Sequence, residues 1–185
     1  MSKVLTGIIV VLSLALLSGC GTKALQKTSM SGEPEWYKTP PVNKDFVYGV
    51  YTATSQDMQL ATDKASAGAR ADVGKQIQVQ IQSLEKRFNE ETGFGKDATL
   101  LQMFTDVSKE VMNMSLEGAA IKQKVTHRDG DNWRAYVLIE YPVANTNAAL
   151  VKECRKNTAL VTQMRASEAF KDLEKEVDKA AAATK

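Results

Sequence analysis

An apolar run, Ile8-Ile9-Val10-Val11-Leu12 followed by Leu14-Ala15-Leu16-Leu17, ends on Ser18-Gly19-Cys20. Lys3 stands in front of it. The run is about 14 residues long, against the roughly 20 that a membrane-spanning helix needs. A positive start, a short apolar centre and small residues before a cut site make an export signal. That feature constrains everything after it. The rest of the chain has to fold without residues 1–19, and in a compartment that permits disulfides. Yet Cys20 and Cys154 are the only cysteines. If Cys20 is modified, Cys154 has no partner, and the domain must hold itself by its core or by assembly.

Leu17-Ser18-Gly19-Cys20 resembles the lipobox of bacterial lipoproteins. The resemblance implies cleavage between Gly19 and Cys20, and palmitate-type acylation of Cys20, which becomes the first residue of the mature protein. This covalent lipid is the one prosthetic group expected, and the bilayer is the first partner. Each buried methylene contributes about 0.8 kcal/mol, so several acyl chains make release negligible where one is marginal. Gly21, not Asp, follows the cysteine. Within the lipoprotein class this favours the outer membrane, with the domain hung on either side of it.

Composition fits one ordinary domain behind the anchor. The sequence has 185 residues, 25% of them charged, and a formal net charge of +2. That balance carries no signal for nucleic acid. Residues 20–33 are polar and turn-rich and read as a flexible tether, on the order of 20 Å across as a coil. Residues 34–185 then form a single α+β domain.

Pro34 and Pro40-Pro41 predict an extended segment that excludes helix. Trp36 and Tyr37 lie within it, either packing the chain onto the domain or facing the membrane. Phe46–Tyr51 reads as a first strand, and a helix with small residues on its contact face is predicted from Gln56 to Val73. Gln76-Ile77-Gln78-Val79-Gln80-Ile81-Gln82 alternates without a fault and predicts a long strand, with Leu84 to Phe88 as its candidate extension. Its glutamine face is either wet or paired with another subunit. Residues 90–96 read as a loop. Leu100, Phe104, Val107, Val111 and Met114 mark a helix. Ile121–Thr126, the turn at Asp129-Gly130-Asp131-Asn132 and Trp133–Tyr141 predict a hairpin. From Ala144 an apolar stripe including Val161 and Phe170 predicts a C-terminal helix of more than 30 residues. It either breaks near Asn157-Thr158 or projects over Arg165–Val177 to pack on a neighbour.

The fold class expected is therefore α+β: a small mixed sheet in strand-helix-strand-helix-hairpin order, closed by a long C-terminal helix. Chemistry is sparse. Gly93-Phe94-Gly95-Lys96 lacks the spacing and hydroxyl of a phosphate loop, and Asp129-Gly130-Asp131 lacks the further ligands of a calcium loop. His127, the only histidine, shows no partner, and Cys154 reads as a small buried apolar residue. No catalytic residues and no metal site are assigned, and an enzyme is not expected.

The lipobox at Cys20, Pro34-Glu35-Trp36, Tyr48-Gly49-Val50, Ala69-Arg70-Ala71-Asp72-Val73, Ile77 and Trp133-Arg134-Ala135-Tyr136-Val137-Leu138 together resemble the LPP-twenty family of bacterial outer-membrane lipoproteins. The likeness spans roughly residues 33–175. It implies a small envelope lipoprotein, in a family whose relatives include proteins that polymerise around the flagellar basal body, and it carries over no catalytic set. Three roles follow. The first is a structural lipoprotein that self-assembles, with Val161 and Phe170 on the assembly stripe. The second is a monomeric module binding peptidoglycan, a peptide or a small ligand in a groove lined by Trp36, Tyr37 and Trp133. The third is an accessory subunit of another envelope complex.

Overall fold

The computed structural model describes residues 32–183. They form an α+β domain with a three-stranded antiparallel sheet and a layer of helices. The expected signal peptide, with Gly19 and Cys20, lies outside the described residues.

Four residues, Glu35–Lys38, form a short helix, α1. This corrects the extended segment expected from the prolines. Pro34 precedes the helix rather than sitting inside it, where its missing N–H costs nothing, and Pro40 follows the last turn. Strand β1 runs Phe46–Ser55. Asp57 then caps helix α2, its carboxylate accepting from the Leu60 backbone N–H at 2.7 Å.

Helix α2 spans Met58–Thr92, 35 residues, and contains the whole alternating segment predicted as a strand. Ile77 and Ile81 are four apart and both buried, whereas Val79 points away and is 65% exposed. An apolar residue at every second position satisfies a helix as well as a strand whenever the middle one faces water. The glutamines between them are good helix formers. One glycine, Gly74, and no proline stand between them and the preceding helix; the helix runs on through Gly74, and extending a helix needs no new nucleation. The loop expected at residues 90–96 is correspondingly shorter. Gly93, at φ 70°, ends the helix in the left-handed conformation, and a 3-10 turn follows at Phe94–Lys96.

Helix α3 (Ala98–Gly118) is capped by Asp97 and buries Phe104 and Val111, two members of its expected stripe. Strands β2 (Ala120–Asp129) and β3 (Asn132–Pro142) form the hairpin, with Gly130 at φ 61° in the turn. The sheet order is β1-β3-β2, and both pairings are antiparallel. It is therefore not the mixed sheet expected, because residues 76–82 contribute no strand. A bulge shifts the register between Ile121 and Gln123.

The C-terminal region is three helices, not one: α4 (Val143–Arg155), α5 (Thr158–Met164) and α6 (Glu168–Ala183). The break near Asn157-Thr158 is present, because the Asn157 side chain caps α5 through the Leu160 N–H at 3.1 Å. Ser167 makes a second break, its hydroxyl accepting from the Phe170 N–H at 3.2 Å. These turns fold the distal stripe back onto the domain, so Arg165–Val177 does not project as a free helix.

Two packing layers result. The first half of α2 lies on one sheet face, where Ala61, Ala65, Ala69 and Val73 meet Val47, Ala135, Val137, Ile139 and Tyr141. Its second half belongs to the helix layer. There Phe88 sits edge-on to Phe104 and Phe170, at 6.3 and 5.6 Å, and Phe94 meets Phe104 at 5.4 Å.

Candidate functional site

Strand parity decides which candidate residues can meet. Ala135, Val137 and Ile139 of β3 face α2, and Trp133 shares their parity. Tyr136, of opposite parity, belongs to the outer sheet face. Tyr37 of α1 meets it there, ring edge to face at 4.8 Å, and Trp36 packs against Tyr37 at 6.5 Å. His127 stacks on the same Tyr136 ring at 5.6 Å. Trp36 and Tyr37 thus share a surface, while Trp133 lies on the other side of the sheet, under the Arg128 guanidinium at 4.5 Å. The three aromatics do not line one groove.

Val161 and Phe170 are in the core, 7% and 0% exposed. A stripe consumed inside its own chain offers nothing to a second copy. Sequence periodicity identified the stripe correctly and misassigned its partner, because the sequence does not display the fold-back at Ser167.

The outer sheet face holds a polar constellation that sequence reading missed. Lys122 pairs with Glu140 and lies over the Tyr48 ring at 5.3 Å. The hydrogen bond to Glu140 holds the Lys122 ammonium up, and the same bond holds the Glu140 carboxyl down. Desolvation, then the hydrogen bond to Glu140, pushes the Tyr48 phenol up. All three shifts lead away from neutrality, so each group keeps its ordinary charge at pH 7. A proton-transfer residue works best when its pKa is near the working pH. The trio reads as a cross-strand clip. The bulge at Lys122 carries the lysine to it, and a bulge leaves no signal in an alternating sequence.

Beside β1 lies a groove of about 550 Å³. Pro40, Pro41, Tyr48, Asp72 and Gln76 are among its lining residues. Gln76 donates to the Tyr48 backbone carbonyl at 2.7 Å, satisfying an edge acceptor of β1. Strand β2 is the opposite edge, and α2 covers it far less than it covers β1 and β3. Residues 120–125 are exposed on both faces, Ile121 at 41% and Val125 at 37%.

Cys154 is buried, and burial pushes its thiol up to about 12. It is a packing residue, as its place in the stripe suggested. Among the described residues no cluster of three His, Cys, Asp or Glu side chains could hold a metal ion, and no helix is long and apolar enough to cross a membrane. His127 Nδ1 is buried and unpaired among the described residues. No protein-family model matches the chain, and no curated protein matches it.

Proposed function

We propose that this protein is an outer-membrane-anchored structural lipoprotein of the LPP-twenty type, attached through acylated Cys20, that associates with copies of itself in the envelope. The leader that ends in Leu17-Ser18-Gly19-Cys20 carries the reading. It supplies the membrane partner, and it makes a role in envelope architecture the natural one for a domain whose polar groups sit in structural pairs.

The association surface differs from the one the helical periodicity suggested. The bare half of β2 replaces Val161 and Phe170. A strand exposed on both faces is a sheet left unfinished on one side. The Lys122 side chain and the bulge beside it blunt indiscriminate edge pairing, so contact falls on the faces, at Ile121 and Val125. Two measurements test the proposal. Cells fed labelled palmitate should label the wild-type protein and not Cys20→Ala. Light scattering on the native lipidated protein in mild detergent should give a discrete oligomer, which Ile121→Asp with Val125→Asp reduces to a monomer. A monomeric wild type would move the weight to the groove beside β1 and to a ligand-binding module.

A further inference from the structure

We infer that the hairpin end of the sheet, together with the first turn of α2, docks on the phospholipid surface that holds the anchor. The inference rests on the proposed acylation of Cys20 and adds which end of the domain meets the bilayer.

Three observations converge on that end. The first is where the described chain begins. A Cβ added to Gly32 would lie 3.2 Å from His127 Cε1, so Gly32 rests on His127. His127 pairs with Arg134 in the hairpin, two steps from the closing Asp129–Asn132 pair. Residues 21–31 therefore join the lipidated cysteine to the turn end of the sheet. As a coil such a linker spans on the order of 20 Å, while α2 alone is about 52 Å long at 1.5 Å per residue. The tether is short beside the element it carries.

The second observation is where α2 starts. Strand β1 ends at Ser55, which pairs with Trp133 at the hairpin end, and α2 begins at Met58. The first turn of the longest helix is thus at the same end as Gly32, and the helix runs away from it.

The third is what this end exposes. Met58 is 44% and Leu60 47% exposed, although both belong to one helical turn. Trp133 pairs with Ser55, three residues before Met58, and is half-buried with the Arg128 guanidinium over its ring. Exposed aliphatic side chains next to an amphipathic indole suit the boundary between acyl chains and headgroups. Arg128 and Arg134 are offset by Asp57, Asp129 and Asp131. Adhesion therefore comes from apolar contact, not from attraction to anionic lipid. Individually weak contacts suffice, because a short tether holds the end at millimolar effective concentration.

A thiol-directed fluorophore tests this in the lipidated, full-length protein. Cys154 is buried with its thiol held protonated, and Cys20 is acylated, so an introduced cysteine is the reactive one. Leu60→Cys places the label at the proposed contact. Val42→Cys is the control, because Val42 is 98% exposed and precedes Phe46, which pairs with Pro142 at the opposite end of the sheet. Each labelled protein is reconstituted into phosphatidylcholine vesicles, with or without bromine on the acyl chains. Brominated lipid should quench the residue-60 label at least two-fold and leave the residue-42 label unchanged, with little dependence on salt. Met58→Ser beside the residue-60 label should weaken the quenching. Equal quenching at both positions, or none at either while the protein floats with the vesicles, overturns the docking and leaves the anchor standing. Failure to float overturns the anchor and this inference together.

Discussion

Gly49 shows how far one residue can be constrained. A Cβ there would lie 2.2 Å from the Ala69 carbonyl oxygen and 2.8 Å from Val73 Cγ2. No side chain fits while β1 and α2 keep their separation. Gly49→Ala should destabilise the domain by about 1–3 kcal/mol, the usual cost of overpacking, read as a lower urea midpoint at an unchanged slope. Cys154 offers a second test at this scale. Its thiol should resist a disulfide-exchange reagent at pH 8 in the folded protein and react fully in denaturant, since both burial and the raised thiol suppress the reactive thiolate. Glycine spacing and an apolar cysteine are readable in the sequence. The 2.2 Å approach is not, because it depends on which strand the helix crosses.

At the scale of elements, α2 separates two readings of one pattern. In a strand Ile77, Val79 and Ile81 would share a face. In α2 only Ile77 and Ile81 do. Val79→Ser should therefore change stability by less than about 0.5 kcal/mol, while Ile77→Ala should cost about 2–5 kcal/mol. Equal losses at the two positions would overturn the helix. The joints between elements carry a pH dependence. Glu91, at the end of α2, accepts from the Ser167 hydroxyl at 2.5 Å and the Ala169 N–H at 3.1 Å, closing the start of α6. Those bonds, the Ser167 one first, lower its carboxyl below the usual 4.5. Arg165 and Arg155 do the same for Glu174 in α6, and Arg155 does so for Asp178. A carboxyl whose pKa falls on folding adds stability that is present above its unfolded value and is lost as pH drops through its folded one. Stability from these groups should be flat from pH 6 to 8 and decline below about pH 4.5, the range where unfolded carboxylates protonate. Glu174→Gln should lower the plateau and shrink that acid-side decline, measured by urea titrations at several pH values.

For the whole molecule, the decisive residue is Phe170. It closes the helix layer against Phe88 from a position far along the chain. Phe170→Ala should cost about 3–5 kcal/mol, as for large aromatic truncations in a core, and a charge there should unfold the domain. If Phe170→Asp instead left a folded protein with a smaller complex mass, the stripe would be an assembly surface after all. The two edge strands are managed differently. Gln76 satisfies a carbonyl of β1, whereas β2 is blunted by its bulge and Lys122 and leaves residues 120–125 exposed on both faces. That asymmetry is a property of the assembled sheet and belongs to no single segment.

The α+β class, the first strand, the hairpin and its Gly130 turn, the α3 stripe and the burial of Cys154 were legible because each depends on contacts or periodicity within a short stretch. Local capping also made the Asn157 break visible. Tertiary structure decided the rest. Ile77-x-Val79-x-Ile81 fits two periods, and only a partner on one side of α2 selects between them. The fold-back at Ser167 depends on Glu91, 76 residues away in sequence, and it turns Val161 and Phe170 from a free stripe into core. The separation of Trp36 and Tyr37 from Trp133 depends on which sheet face α2 covers. Spacing along a chain specifies which side chains share a face, but the partner of that face is fixed only when distant segments pack.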